Sequence, residues 1–152
     1  MKAKGNLLKI PKKVKIRIVR TNKKPEKKDM KILIIEDEEA LSRVLKEKLE
    51  TEGFEAMIIG DGGEAISGAL AFKPDIILLD LLLPKRNGFE ILEELKDNID
   101  LKTVPVIVLS NLGEDENIKK AIQLGAGDYF VKTQHPINEI IEKVKAQAEK
   151  GR

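Results

Sequence analysis

Four short apolar runs in this 152-residue chain end on side chains that could do chemistry. "KILII" (31–35) runs into Glu36 and Asp37, "DIILL" (75–79) into Asp80, "VPVIVL" (104–109) into Ser110, and "DYFV" (128–131) into Lys132. A single acidic residue after a strand is ordinarily a helix N-cap or a turn residue. Asp80 fits that explanation poorly, because Leu81, Leu82 and Leu83 follow it. An ionised group at such a place costs several kcal/mol unless it is paired, metal-bound or at a strand's mouth. If the runs are parallel strands, their C-terminal ends share one edge of a sheet. Three carboxylates gathered there repel one another unless a cation lies among them. Hard oxygen ligands with two or three carboxylates suit Mg²⁺, which keeps several waters and takes phosphate oxygens as further ligands. Lys132 adds a positive charge for a phosphate, and Ser110 a hydroxyl donor. Asp80 is thus expected to be a nucleophile neutralised by metal and lysine.

The elements that must position these residues alternate between two periods. After "KILII", Leu41, Val44, Leu45 and Leu49 mark a helical face that stops at Gly53. "EAMII" (55–59) is a second strand, followed by a helix from about Gly62 to Phe72. "DIILL" precedes a helix carrying Phe89, Ile91, Leu92 and Leu95. "VPVIVL" precedes one marked by Ile118, Ala121 and Ile122 that ends at Gly125. After "DYFV", Pro136 suits the first turn of a last helix, with Ile137, Ile140, Ile141 and Val144 inward. Five βα units call for a parallel sheet with helices on both faces. Right-handed crossovers leave few topologies. The expected fold is an α/β, flavodoxin-like, doubly wound (βα)5 three-layer sandwich with strand order 2-1-3-4-5. Ligands bind such sheets at the carboxyl ends of the strands.

Composition narrows the function classes. The chain has no cysteine and one histidine, which excludes disulfides, thiolate sites and His-rich metal clusters. No apolar run approaches the roughly 20 residues of a membrane span, and no signal peptide is evident, so a cytoplasmic location is expected. The net charge of +2 hides a split. Residues 1–29 hold twelve Lys/Arg against Glu26 and Asp29, a charge of +10, which leaves −8 for the rest. The boundary falls near "TNKKPEKKD" (21–29), dividing a basic N-terminal extension, 1–29, from a globular domain, 30–150.

From Met30 to about Glu149 the chain resembles the receiver domain of two-component response regulators, and a stand-alone, chemotaxis-receiver-like member in particular. The resemblance rests on the acidic pair in "IIEDEE", Asp80 in "LLDLLLPKRNGFE", Ser110 in "VIVLSN" and Lys132 in "GAGDYFVK". It implies phosphorelay signal transduction: phosphotransfer onto Asp80 from a sensor histidine kinase or phosphotransfer protein. It implies Mg²⁺ held by Asp37, Asp80 and the backbone carbonyl of Leu82, with Glu36 acting through water. Lys132 would pair with the phosphoryl group, Ser110 would swing toward it, and Tyr129 would move as an aromatic switch. Output would pass to an unknown protein through the face of the fourth helix, fifth strand and fifth helix. Pro84 and Gly88 match the family's turn after the phosphorylated strand.

Three departures from the family pattern stand out. Thr133 replaces the usual proline after the lysine, and a trans bond is expected there because a non-proline cis bond costs roughly 3 kcal/mol. Asn111 stands where alanine is common. Leu82 and Leu112, two residues beyond Asp80 and Ser110, are apolar and cannot hydrogen-bond an attacking water. His135, before Pro136, is expected to be a loop residue, and Phe130 and Val131 to be core.

Met30 stands where stand-alone receivers begin, so residues 1–29 are expected to be an upstream extension of the reading frame, flexible or artefactual. An anion-binding arm is the alternative, with "VKIRIV" (14–19) as a short strand. Nucleic-acid contact by the arm is disfavoured, since it has no aromatic side chain for base stacking. The chain ends soon after the last helix, so a receiver without an output domain is expected, acting by contact and not as an enzyme. The rival reading is a Mg²⁺-dependent phosphohydrolase working through an aspartyl-phosphate. It lacks a second carboxylate two residues beyond Asp80 and any cap segment. A flavin module is disfavoured because carboxylates, not Gly/Ser/Thr amides, line the site.

Overall fold

The computed structural model describes residues 30–151. The basic extension at 1–29, with its strand at 14–19, lies outside the described residues. Five strands alternate with five helices: β1 Lys31–Ile35, α1 Glu39–Thr51, β2 Glu55–Ile59, α2 Ala65–Phe72 and β3 Ile76–Asp80. The order continues with α3 Gly88–Asp97, β4 Val106–Ser110, α4 Asp115–Gln123, β5 Asp128–Val131 and α5 Ile137–Lys150. The strands form one parallel sheet in the order β2-β1-β3-β4-β5. This is the expected α/β order.

Successive residues of a strand point to opposite faces, so a strand covered on both sides must be apolar throughout. β3 and β4 are buried at every position. Their odd and even residues divide between two cores. Ile77, Leu79 and Val108 pack with Leu33 against Ala65 and Ala69 of α2, Leu92 of α3 and Ala121 of α4. Ile76, Leu78, Ile107 and Leu109 pack with Ile34 against Leu45 and Leu49 of α1 and Ile140 and Val144 of α5. The result is three layers.

Element ends differ from the expected ones at a few places. β3 reaches Asp80, which pairs with Leu109 of β4. β4 begins at Val106, because Pro105 has no N–H to give the ladder, although its carbonyl accepts from Ile77 N at 3.0 Å. The segment before α2 is a 3₁₀ turn, Gly62–Glu64, capped by the Asp61 side chain. Pro136 is the N-cap of α5 rather than part of its first turn, with an extended ψ of 156°. Ile122 is exposed, whereas Ala121 supplies the buried face of α4. No peptide bond among the described residues is cis, Lys132–Thr133 included.

Candidate functional site

The ladder delivers the site residues to one edge. The Glu36 N–H still bonds the Ile59 carbonyl at 3.0 Å, and the Lys132 N–H bonds the Ser110 carbonyl at 2.9 Å. Lys132 therefore leaves the sheet beside Ser110, with Asp80 on the next strand. Its Nζ lies 2.7 Å from Glu36 Oε1, 3.3 Å from Asp80 Oδ2 and 3.6 Å from Glu38 Oε1. Asp37 is exposed, and carboxylate oxygens of Glu36, Asp37 and Asp80 lie within 4.8 Å of one another. Of the five acceptor, metal and lysine positions expected from the sequence, the side chains of Glu36, Asp37, Asp80 and Lys132 thus meet.

The buried members of the cluster are held unequally. Asp80 is 4% exposed; its Oδ1 accepts from the Leu82 N–H at 3.1 Å and its Oδ2 from Lys132. Glu36 is 2% exposed, and its Oε2 accepts from the Glu38 N–H at 3.0 Å. Its Oε1 touches the Lys132 ammonium off the hydrogen-bonding direction and so has no aligned donor. Burial pushes the Glu36 carboxyl up to about 7, against the pull of Lys132 and of the Glu38 N–H, and the charge of Asp80 adds to the rise. Burial works against the charge of Lys132, but Glu36 and Asp80 outweigh it and hold the ammonium above the usual lysine range. A buried carboxylate oxygen whose one close partner is the Lys132 ammonium, beside two further carboxylates, fits an additional cation with oxygen ligands.

The turn after β3 is held tightly. Leu82 bridges to Asn87, and the Gly88 N–H bonds the Leu81 carbonyl at 2.9 Å. The Asn87 side chain then caps α3 through the Phe89 N–H at 2.7 Å. At Gly88 a Cβ would run into Leu81 Cα and come within 2.8 Å of the Asp80 carbonyl oxygen, so only glycine lets α3 start here. Lys85 takes a left-handed φ of 71° and pairs with Asp61 at 2.9 Å.

Ser110 is fully buried, and its Oγ accepts from the Leu112 N–H at 3.1 Å. Tyr129 packs half-buried against the core, and its hydroxyl donates to the Leu112 carbonyl at 2.6 Å. Burial raises the Tyr129 hydroxyl above its usual range, with Ser110 opposing that rise. Both switch candidates are therefore tied to one residue, Leu112. Leu82 is exposed at the mouth, and Leu112 packs against the core. His135 pairs with Glu139 at 2.9 Å and meets the Phe130 ring edge-on at 5.1 Å, as a loop residue would. Glu38 joins the cluster without having been expected from the sequence. Its signal was the third acid of "EDEE".

Residues 32–145 match the family model of the response regulator receiver domain, and the chain belongs to that family. The DNA-binding response regulator MtrA of Mycolicibacterium smegmatis is 32% identical over 117 residues, which are 77% of this chain and 50% of that protein. The chain spans about half the length of the curated relatives it matches. The receiver domain of the Francisella response regulator 1452 is similar with a TM-score of 0.74 at 28% identity, covering 81% of this chain and 99% of that one. The Mn²⁺-bound form of response regulator Rcp1 is similar with a TM-score of 0.66 at 32% identity, covering 77% and 90%. No helix among the described residues is long and apolar enough to cross a membrane.

Proposed function

We propose that the protein is a phosphoacceptor of two-component signalling in which Asp80 takes a phosphoryl group from a histidine kinase or phosphotransfer protein. The observation that carries this reading is the Lys132 ammonium standing on both Asp80 and Glu36 at the mouth of the sheet. An Asp80 oxygen attacks phosphorus, and Lys132 turns to the arriving phosphoryl oxygens. Ser110 moves its hydroxyl toward the same oxygens, which leaves Leu112 tied by Tyr129 alone. A divalent ion, Mg²⁺ by the oxygen-only donor set, would be held by Asp37, Asp80 and the Leu82 carbonyl, with Glu36 through water. When bound, it supplies positive charge against the charge on the phosphoryl oxygens. The likeness to Rcp1, solved as a Mn²⁺-bound form, supports a divalent ion. The protein is then a signalling switch rather than an enzyme with a separate substrate. Its output is a protein contact on the face formed by α4, β5 and α5.

The test is incubation with a small acyl phosphate and Mg²⁺, followed by intact-mass measurement. The wild type is expected to gain one phosphoryl group. Asp80→Asn is expected to gain none, because the amide is a poor nucleophile and lacks the charge. Equal labelling of both would overturn the assignment.

A further inference from the structure

Glu38 is the N-cap of α1, and its side chain makes no capping bond. Its carboxylate instead lies 3.6 Å from the Lys132 ammonium. Lys132 thus meets three carboxylates, and they differ in how freely they can leave. The Glu36 side chain is 1% exposed and cannot move into water without breaking its buried contacts. Asp80, 4% exposed, is the proposed acceptor and stays where the phosphoryl group arrives. The Glu38 side chain is 59% exposed and can swing out into solvent with no desolvation to overcome.

We infer that Glu38 is a positioning residue: it is the exchangeable outer counter-ion of Lys132, standing beside the ammonium that Glu36 and Asp80 hold and yielding its place to a phosphoryl oxygen. This rests on Asp80 being the acceptor. In the transfer from a small acyl phosphate, the bond from phosphorus to the acyl oxygen breaks, and its electron pair leaves with the carboxylate. A bond from phosphorus to an Asp80 oxygen forms, and no proton or electron is gained or lost overall. Glu38 competes with the arriving group for Lys132 and repels the anionic donor, so it sets how much donor is needed rather than how fast the bound donor reacts.

The experiment measures the rate of Asp80 labelling against acetyl phosphate concentration in Mg²⁺ for wild type, Glu38→Gln and Glu38→Asp. Exposed ion pairs are weak, so the half-saturating donor concentration is expected to fall about threefold in Glu38→Gln, with the maximal rate unchanged. Glu38→Asp keeps the charge and is expected to recover most of the wild-type value. The difference should shrink in high salt, which screens exposed charge. Binding of fluoroberyllate, a phosphoryl mimic that undergoes no transfer, should tighten by the same factor in Glu38→Gln. Equal half-saturation in wild type and Glu38→Gln, or a fall in the maximal rate, overturns the role of Glu38 while Asp80 labelling stands. No labelling of the wild type overturns the acceptor reading, and this inference with it.

Discussion

Two carboxylates one strand apart experience different environments. Asp80 accepts aligned donors on both oxygens, from Leu82 N and Lys132 Nζ. Glu36 has an aligned donor on one oxygen only, and burial lifts its carboxyl from an ordinary 4.5 to about 7. Between those two values the folded protein holds more protons than the unfolded chain at this position. Stability must then fall as pH rises through that window, and level off above it. Lys132, held above its usual range, stays charged throughout. In metal-free buffer with a chelator, urea unfolding of the wild type is expected to lose stability from pH 5 to pH 8 relative to Glu36→Gln, which cannot titrate there. Parallel pH profiles for the two proteins would show that Glu36 is ionised at its ordinary pH.

The connection between β3 and α3 positions the acceptor. β3 ends on Asp80, Leu82 bridges back to Asn87, and α3 starts at Gly88 against the Leu81 backbone. A methyl at Gly88 must push apart two backbones, and overpacking of this kind costs about 1–3 kcal/mol. The same displacement moves the Asp80 and Leu82 backbone. Gly88→Ala is therefore expected to lower the chemical unfolding midpoint and to slow labelling of Asp80. Wild-type stability in that variant would mean the turn can relax without cost. The Asp61–Lys85 pair ties this turn to the one before α2, but Lys85 is largely exposed, and such pairs contribute little.

Across the whole domain, the sheet separates two cores that answer to different sides of the site. α1 and α5 cover one face, and α2, α3 and α4 the other. Ser110 and Tyr129 both bond to Leu112, the first through its N–H and the second through its carbonyl. If Ser110 turns to a phosphoryl oxygen, Leu112 loses one of these anchors, and the segment leading into α4 loosens. Amide exchange of the phosphorylated protein is expected to change in β4, α4, β5 and α5, with α2 and α3 as they were. A change confined to the first half of the domain would contradict this route.

Much of this was legible in the chain because it depends on local pattern. Strands covered on both faces must read as unbroken apolar runs, and "IILL" (76–79) and "VIVL" (106–109) do. Alternation with helical faces then dictates parallel strands, and parallel strands put Glu36, Asp37, Asp80, Ser110 and Lys132 at one edge. Element ends were less legible: the hydrogen-bond ladder, not hydrophobicity, puts Asp80 inside β3 and leaves Val104 outside β4. The partners of Lys132 were less legible still. Lys132 and Asp80 are 52 positions apart, and their contact, like the one with Glu38, exists only because the sheet brings separate segments together. The raised carboxyl of Glu36 and the shared tie of Ser110 and Tyr129 to Leu112 arise in the same way, since burial and aligned donors belong to the assembled sheet edge and to no single segment of the chain.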